Sequence, residues 1–453
     1  MKLRKHLNYK QGNRILKVNG YLYLRYSPDM YKKNKVIMRK IFFAMLTFCL
    51  CGIASGQQSD PIYDESKVPA YTLHDPLVFS DGTKVSDRKA WEKRRSELYD
   101  IFCDEVYGRT PEWKGKIISN EISSVEDALS GTATMKQVRI TMKNGVREHS
   151  MIMLLFLPKN VKKAPVFLGL NFNGNHTVVN EPGITLADIW PRKPVTAPVK
   201  GKDSERGNDA DSWQVNQIIS RGYGLATIYY CDIDPDFDDD FKNGIHALFD
   251  EERNEESWGS VAAWAFGLSR ALDYLETVKW VDSKKVAVMG HSRLGKAALW
   301  AGVSDPRFAM VISNNSGCGG AALSKRIYGE TVGRINRSFP HWFCDNFNKY
   351  NEKEELLPVD QHQLLTLIAP RPLYVASAQD DQWADPKGEF LSCVGASPVY
   401  KLLGTEGFSA TEMPPVNSPV IGRIGYHIRT GGHDVTLYDW LRYLDFADSY
   451  MKK

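Results

Sequence analysis

Two rhythms divide the chain. Residues 115–158 alternate apolar and polar positions, as in Lys136-Gln137-Val138-Arg139-Ile140-Thr141-Met142. That is the period of half-buried strands and predicts an antiparallel hairpin. Further on, short apolar runs alternate with loops and with longer patterns spaced at three and four. The runs at 166–170, 224–230, 285–289, 308–312 and 373–376 predict buried strands, and 424–429 is strand-like. Residues 257–277 set Val261, Trp264, Ala265, Leu268, Leu272 and Leu275 on one helical face. Helices are also predicted over 90–106, where Gly108 and Pro111 then stop the pattern, from Arg293 onward, and over 435–451. Strands alternating with helices imply a mostly parallel sheet covered on both faces. Residues 57–90 read as an extended, Pro/Asp-rich opening segment, and the acidic, loop-rich stretch 180–255 as a rim.

Composition adds a class and a compartment. The 453 residues are 43% hydrophobic and 25% charged, as in globular proteins. The net charge of +4 hides an asymmetry: twelve basic residues and one acid fall within 1–56, which leaves −7 on the other 397 positions. A general nucleic-acid binder would carry the opposite sign. Met38-Arg39-Lys40 precedes an apolar run of fourteen at 41–54, then Ala54-Ser55-Gly56. That order predicts a signal peptide over 38–56, an over-extended start over 1–37, and one catalytic domain over 57–453 that is secreted or periplasmic. The run is too short to span a membrane. Cysteines 103, 231, 318, 344 and 393 remain, an odd number, with Cys318–Cys344 a conceivable pair. They lack metal-ligand spacing and no HExxH occurs, so no metal or cofactor is expected.

The most informative stretch is VAVMGHSRLGKAALW, residues 286–300. An apolar strand runs into Gly290-His291-Ser292-Arg293-Leu294-Gly295 and then into good helix formers. A serine at a sharp strand-to-helix turn is the nucleophile elbow of the α/β-hydrolases, a three-layer sandwich, although the second glycine comes one position late. Arg293 and Lys296 follow at a helix start that already carries about half a positive charge. Propensity does not explain them. An anion to be bound would, and nearby acids are the alternative.

In this fold the acid and then the histidine follow the serine in the chain. Of His341, His362, His427 and His433, the last fits best, in Gly431-Gly432-His433-Asp434 before the final helix. His427 lies within a strand pattern and reads as core or loop support. After the strand at 373–376, Asp380, Asp381 and Asp385 compete for the role of orienting the imidazole. Asp381 is preferred, Asp380 next, and Asp385, before a proline, reads as a turn or cap residue.

The Gly290–Lys296 segment resembles the G-C-S-R-x-G-K signature of glucuronoyl esterases, carbohydrate esterase family 15. The loop at 379–386 and the Gly-Gly-His-Asp segment resemble its bacterial members. The resemblance covers roughly residues 80 to 450. It implies that Ser292 attacks a 4-O-methyl-glucuronoyl ester on xylan and that a lignin-type alcohol leaves. It implies that Arg293 helps form the oxyanion hole, and that Lys296, Glu330 and Trp383 contact the uronate. Glucuronoxylan or a lignin–carbohydrate ester is then the partner of a monomer, with no nucleic acid and no membrane insertion. His291 replaces the cysteine of the fungal signature. Asn315 stands where fungal members carry the triad glutamate, and an amide cannot stabilise an imidazolium, which shifts the weight to Asp381. The competing expectations are an acetyl-xylan esterase or other α/β-hydrolase such as a peptidase, and a non-catalytic carbohydrate-binding protein.

Overall fold

The computed structural model describes the strands Arg14–Val18 and Tyr21–Arg25, and residues 60–249 and 252–452. Those two strands pair antiparallel within a unit of their own, residues 1–60. The segments expected to be a signal peptide and, for the most part, an over-extended start lie outside the described residues.

The second unit, Pro61–Lys453, is organised by nine strands. They are β1 (Lys116–Asp127), β2 (Ala133–Asn144), β3 (Arg147–Pro158), β4 (Ala164–Asn171), β5 (Gly224–Tyr229), β6 (Val281–His291), β7 (Met310–Asn314), β8 (Leu373–Ala378) and β9 (Ile424–Arg429). Their spatial order is β9-β8-β7-β6-β4-β5-β3-β2-β1. The six strands from β9 to β5 are parallel, and β3, β2 and β1 add antiparallel. The alternating stretch 115–158 thus forms three long strands rather than a hairpin, because tight turns at 128–132 and 145–146 reverse it twice.

Five longer helices flank the sheet: α1 (Arg88–Phe102), α2 (Ser260–Leu275), α3 (Arg293–Ser304), α4 (Pro386–Leu402) and α5 (Leu437–Met451). Successive strand residues point to opposite faces, and β6 shows the result. Val286 and Val288 join a core with α1, α2 and α3, while Ala287 and Met289 join a second core with Trp440 and Leu444 of α5. Both faces being covered is why the central strands read as unbroken apolar runs. The α/β-hydrolase architecture expected from the sequence is the one observed.

The unanticipated element is α4. Its run contains Gly388, Gly395 and Pro398, which obscure a helical pattern. Its start is nevertheless encoded: Asp385 caps it, accepting a hydrogen bond from the Gly388 N–H at 2.9 Å, with Pro386 at the first helical position. Asp385 is therefore the cap residue its proline neighbour suggested. All five cysteines of this unit are buried and free, so Cys318 and Cys344 are not paired.

Candidate active site

The carboxyl ends of the parallel strands converge on Ser292. It joins β6 to α3 with φ 57° and ψ −130°, a left-side backbone conformation costly for a residue with a Cβ. Two glycines permit the bend. A Cβ on Gly290 would lie 1.9 Å from the Leu294 carbonyl oxygen, and one on Gly295 would crowd Ser316 at 3.0 Å. The late glycine of the motif is thus set by contact between α3 and the loop after β7. The Ser292 N–H donates to the Asn314 carbonyl at 2.9 Å, fixing the elbow to the neighbouring strand.

Ser292 and His433 line one cavity of about 300 Å³. His291, Arg293, Phe172, Trp213 and Arg192 are among its other walls. His433 hangs on the loop between β9 and α5, and its Nδ1 lies 2.6 Å from Asp381 Oδ2. The same carboxylate oxygen accepts the Asn315 amide N–H at 2.7 Å. Burial alone would raise the Asp381 carboxyl. The His433 and Asn315 hydrogen bonds outweigh it and hold the group below the ordinary carboxylate value. Asp380 instead spends its backbone N–H on Gly431 and leaves its side chain exposed. The other histidines go elsewhere: His341 to Asp236, His362 to the His74 carbonyl, and His427 into the core.

A buried polar ring ties this histidine loop to the elbow. Arg429, the last residue of β9, donates to the Thr430, Gly432 and Asp434 carbonyls at 2.9, 3.1 and 2.6 Å, gripping the loop on both sides of His433. Its Nε donates to Asp439 on α5 at 2.7 Å. Asp439 also meets His427 Nε2 at 2.9 Å and the Asn314 amide at 3.2 Å. Asn314 then holds His291 Nδ1 at 2.6 Å, and the His291 ring packs against that of His433 with centroids 4.5 Å apart. Burial first, and the neighbouring His433 second, depress His291 to about 4. It is therefore neutral near pH 7 and does not oppose a charge on His433.

The two cations of α3 are not left for an anion. Arg293 pairs with Asp236, whose carboxylate also accepts from Trp342 Nε1 at 2.8 Å and Tyr230 OH at 2.8 Å. Its guanidinium lies 4.6 Å from the Trp342 ring centre. Among the described residues, its Nε–H has no hydrogen-bond partner. Lys296 is buried and donates to the Ser316 and Cys318 carbonyls, both at 2.6 Å, with Glu330 at 3.6 Å. The expectation of an unpaired anion site gives way to neighbouring acids, because each cation stands where a loop carboxylate can reach it. Trp383, beside Glu330, is 41% exposed. Lys296, Glu330 and Trp383 sit outside the Ser292 cavity.

Asp236, Arg429, Asp439, Asn314 and Glu389 were not singled out in the sequence. Glu389 is buried under the loop after β7, accepting the Ser316 and Gly317 N–H groups and the Ser377 hydroxyl. The available signals were a lone arginine closing an apolar strand and an acid in the first turn of the last helix.

A strained serine between strand and helix, facing a histidine–aspartate pair on the loops after β8 and β9, places the molecule in the α/β-hydrolase class. A family model described as "Glucuronyl esterase, fungi" matches residues 214–404. Carbohydrate esterase MZ0003, from an unknown prokaryotic organism, is 51% identical over 398 residues, covering 86% of this chain and 92% of that protein. The structure of a glucuronoyl esterase from Solibacter usitatus is 49% identical with a TM-score of 0.81, covering 85% of this chain and all of the other. A 4-O-methyl-glucuronoyl methylesterase of Wolfiporia cocos is 29% identical, covering 75% of this chain and 74% of its own. The chain belongs to the glucuronoyl esterases, carbohydrate esterase family 15, and is a carboxylic ester hydrolase.

Proposed function

We propose that the protein hydrolyses 4-O-methyl-glucuronoyl esters that link glucuronoxylan to lignin alcohols, through a Ser292–His433–Asp381 triad and an acyl-enzyme. The single observation that carries this reading is the 2.6 Å contact of His433 Nδ1 with a buried carboxylate, in the cavity that also receives Ser292. That contact leaves Nε2 for the serine proton. Ser292 Oγ attacks the ester carbonyl while His433 takes the proton, and Asp381 stabilises the imidazolium. The Arg293 backbone N–H, next after the nucleophile, and the unspent Nε–H of its side chain are the donors for the oxyanion. His433 then protonates the departing alcohol, and a water, deprotonated by the same imidazole, cleaves the acyl-enzyme.

The cavity walls Phe172 and Trp213 suit an aromatic alcohol as leaving group. Lys296, Glu330 and Trp383 suit the hydroxyls and flat face of the uronate ring. We assign the protein to the exterior or periplasm as a monomer, with residues 38–56 removed and 1–37 absent from the native product. N-terminal sequencing of exported protein should then start near Gln57.

The test is hydrolysis of benzyl glucuronate against p-nitrophenyl acetate. The expected result is a clear preference for the glucuronate. Acetate cleavage without glucuronate cleavage would turn the reading toward an acetyl esterase. Ser292→Ala should cost at least about 10⁴-fold in kcat; an unchanged rate would remove the nucleophile.

A further inference from the structure

The segment before α1 does more than lead into the fold. The Gly329 N–H donates to the Ile62 carbonyl at 2.9 Å, and the Glu330 N–H donates to the Trp383 carbonyl at 3.0 Å. The short run 328–330 therefore lies between residues 62–63 on one side and 382–383 on the other. Gly329, at φ 62°, makes the close approach possible: a Cβ there would meet the Gln382 and Trp383 carbonyl oxygens at 2.6 Å.

Each outer backbone carries an exposed aromatic ring. Trp383 is 41% exposed and Tyr63 48%. The Tyr63 ring meets Tyr328 only at right angles, with centroids 6.1 Å apart. Its hydroxyl is not what holds it: the Tyr328 hydroxyl reaches the Tyr63 carbonyl at 2.9 Å, a backbone contact. Two residues on, Glu65 is clamped by Arg326 at 2.6 Å and by Lys387 at 2.7 Å. The segment is thus anchored by its backbone and by Glu65, while about half of the Tyr63 surface stays exposed.

A tyrosine ring half open to solvent on an anchored segment offers an apolar face to a sugar. His433 contacts Asp381, Trp383 lies two residues further on, and 328–330 bridges Trp383 to Ile62, the neighbour of Tyr63. We propose that Tyr63 is a second stacking platform, which takes a xylose ring of the main chain bearing the uronate that Trp383 recognises. The inference rests on the glucuronoxylan reading above and extends it from the esterified sugar to the polymer.

The experiment compares an esterified glucuronoxylan oligosaccharide with benzyl glucuronate, for the unaltered enzyme, Tyr63→Ala and Tyr63→Phe. Tyr63→Ala should lower the ratio of the two kcat/KM values about 3- to 10-fold, the worth of one aromatic stack. Tyr63→Phe, which keeps the face and loses the hydroxyl, should restore the ratio. Calorimetric binding of the same oligosaccharide to Ser292→Ala, with and without Tyr63→Ala, gives the readout without turnover and should show a matching loss of affinity. An unchanged ratio and affinity, or a loss that Tyr63→Phe does not restore, overturns the platform. Failure of the unaltered enzyme on benzyl glucuronate would instead count against the proposed function.

Discussion

The histidine side of Ser292 and the Lys296 side are built on opposite plans. On the histidine side, strand ends and one helix supply a closed, buried ring: His291, Asn314, Asp439 and Arg429, with His433 held at its rim. Its links are hydrogen bonds, closed by the packing of the His291 ring on that of His433. On the other side, Glu330 and Trp383 stand on loops, and Lys296 reaches across to fasten one of them. On the proposed function, the contrast separates reaction from recognition. Chemistry needs reacting atoms held to a fraction of an ångström, whereas sugar recognition tolerates adjustable surfaces with an aromatic face.

Damage to the histidine side should therefore lower kcat for any ester, and damage to the other side should discriminate between esters. The largest effect belongs to Asp381→Asn, expected to cost about 10³- to 10⁴-fold in kcat on both benzyl glucuronate and p-nitrophenyl acetate. Asp380→Asn should stay within about 2-fold of the unaltered rate, as expected for an exposed loop carboxylate; the reverse ranking would reassign the acid. Next comes Arg429→Lys, which keeps the charge beside Asp439 but loses the fork that grips the loop. It should lower kcat about 10- to 100-fold on both esters with little change in KM. Denaturation measured alongside separates misplacement from unfolding.

Lys296 sharpens the comparison because it touches both plans. If it serves recognition, Lys296→Ala should raise KM for the glucuronate about 10-fold more than for the acetate, the share of one charged hydrogen bond. Equal changes on both esters would make it a loop fastener only. The smallest effect is that of Asn315→Ala, about 10-fold or less in kcat, with a pH signature. The Asp381 carboxyl is held low in the fold, so its ionised form adds stability above its unfolded value of about 3.9. That contribution disappears as pH falls through the lower, folded value. Removing the Asn315 donor raises the folded value, so the contribution shrinks and its loss is confined to a narrower, higher pH range. A smaller acid-side change in Tm is the expected readout.

Much of this was legible along the chain, and what was hidden has a physical reason. Strands such as β6 and β9 announced themselves because burial on both faces leaves no room for polar positions. Ser292, His433 and Asp381, proposed as the triad, stood out along the chain because each sits at a punctuated junction: a glycine-flanked turn, a double glycine and a strand end. Asp236 and Arg429 were not readable, since their roles exist only through contacts made by folding. Asp236 meets Arg293 across 57 positions. Asn315 was read as not the triad acid, and its place, donating to Asp381, came only with the geometry. The cations of α3 were read as waiting for an anion, because sequence shows a charge without showing what lies across from it.

Those paired cations bear on turnover. An esterified uronate is electrically neutral, and only the released acid carries a charge. With Arg293 matched to Asp236 and Lys296 to Glu330, neither cation of α3 is free to retain an anion. The free acid should be a poor competitor of the ester, so that accumulating product would scarcely slow the next cycle.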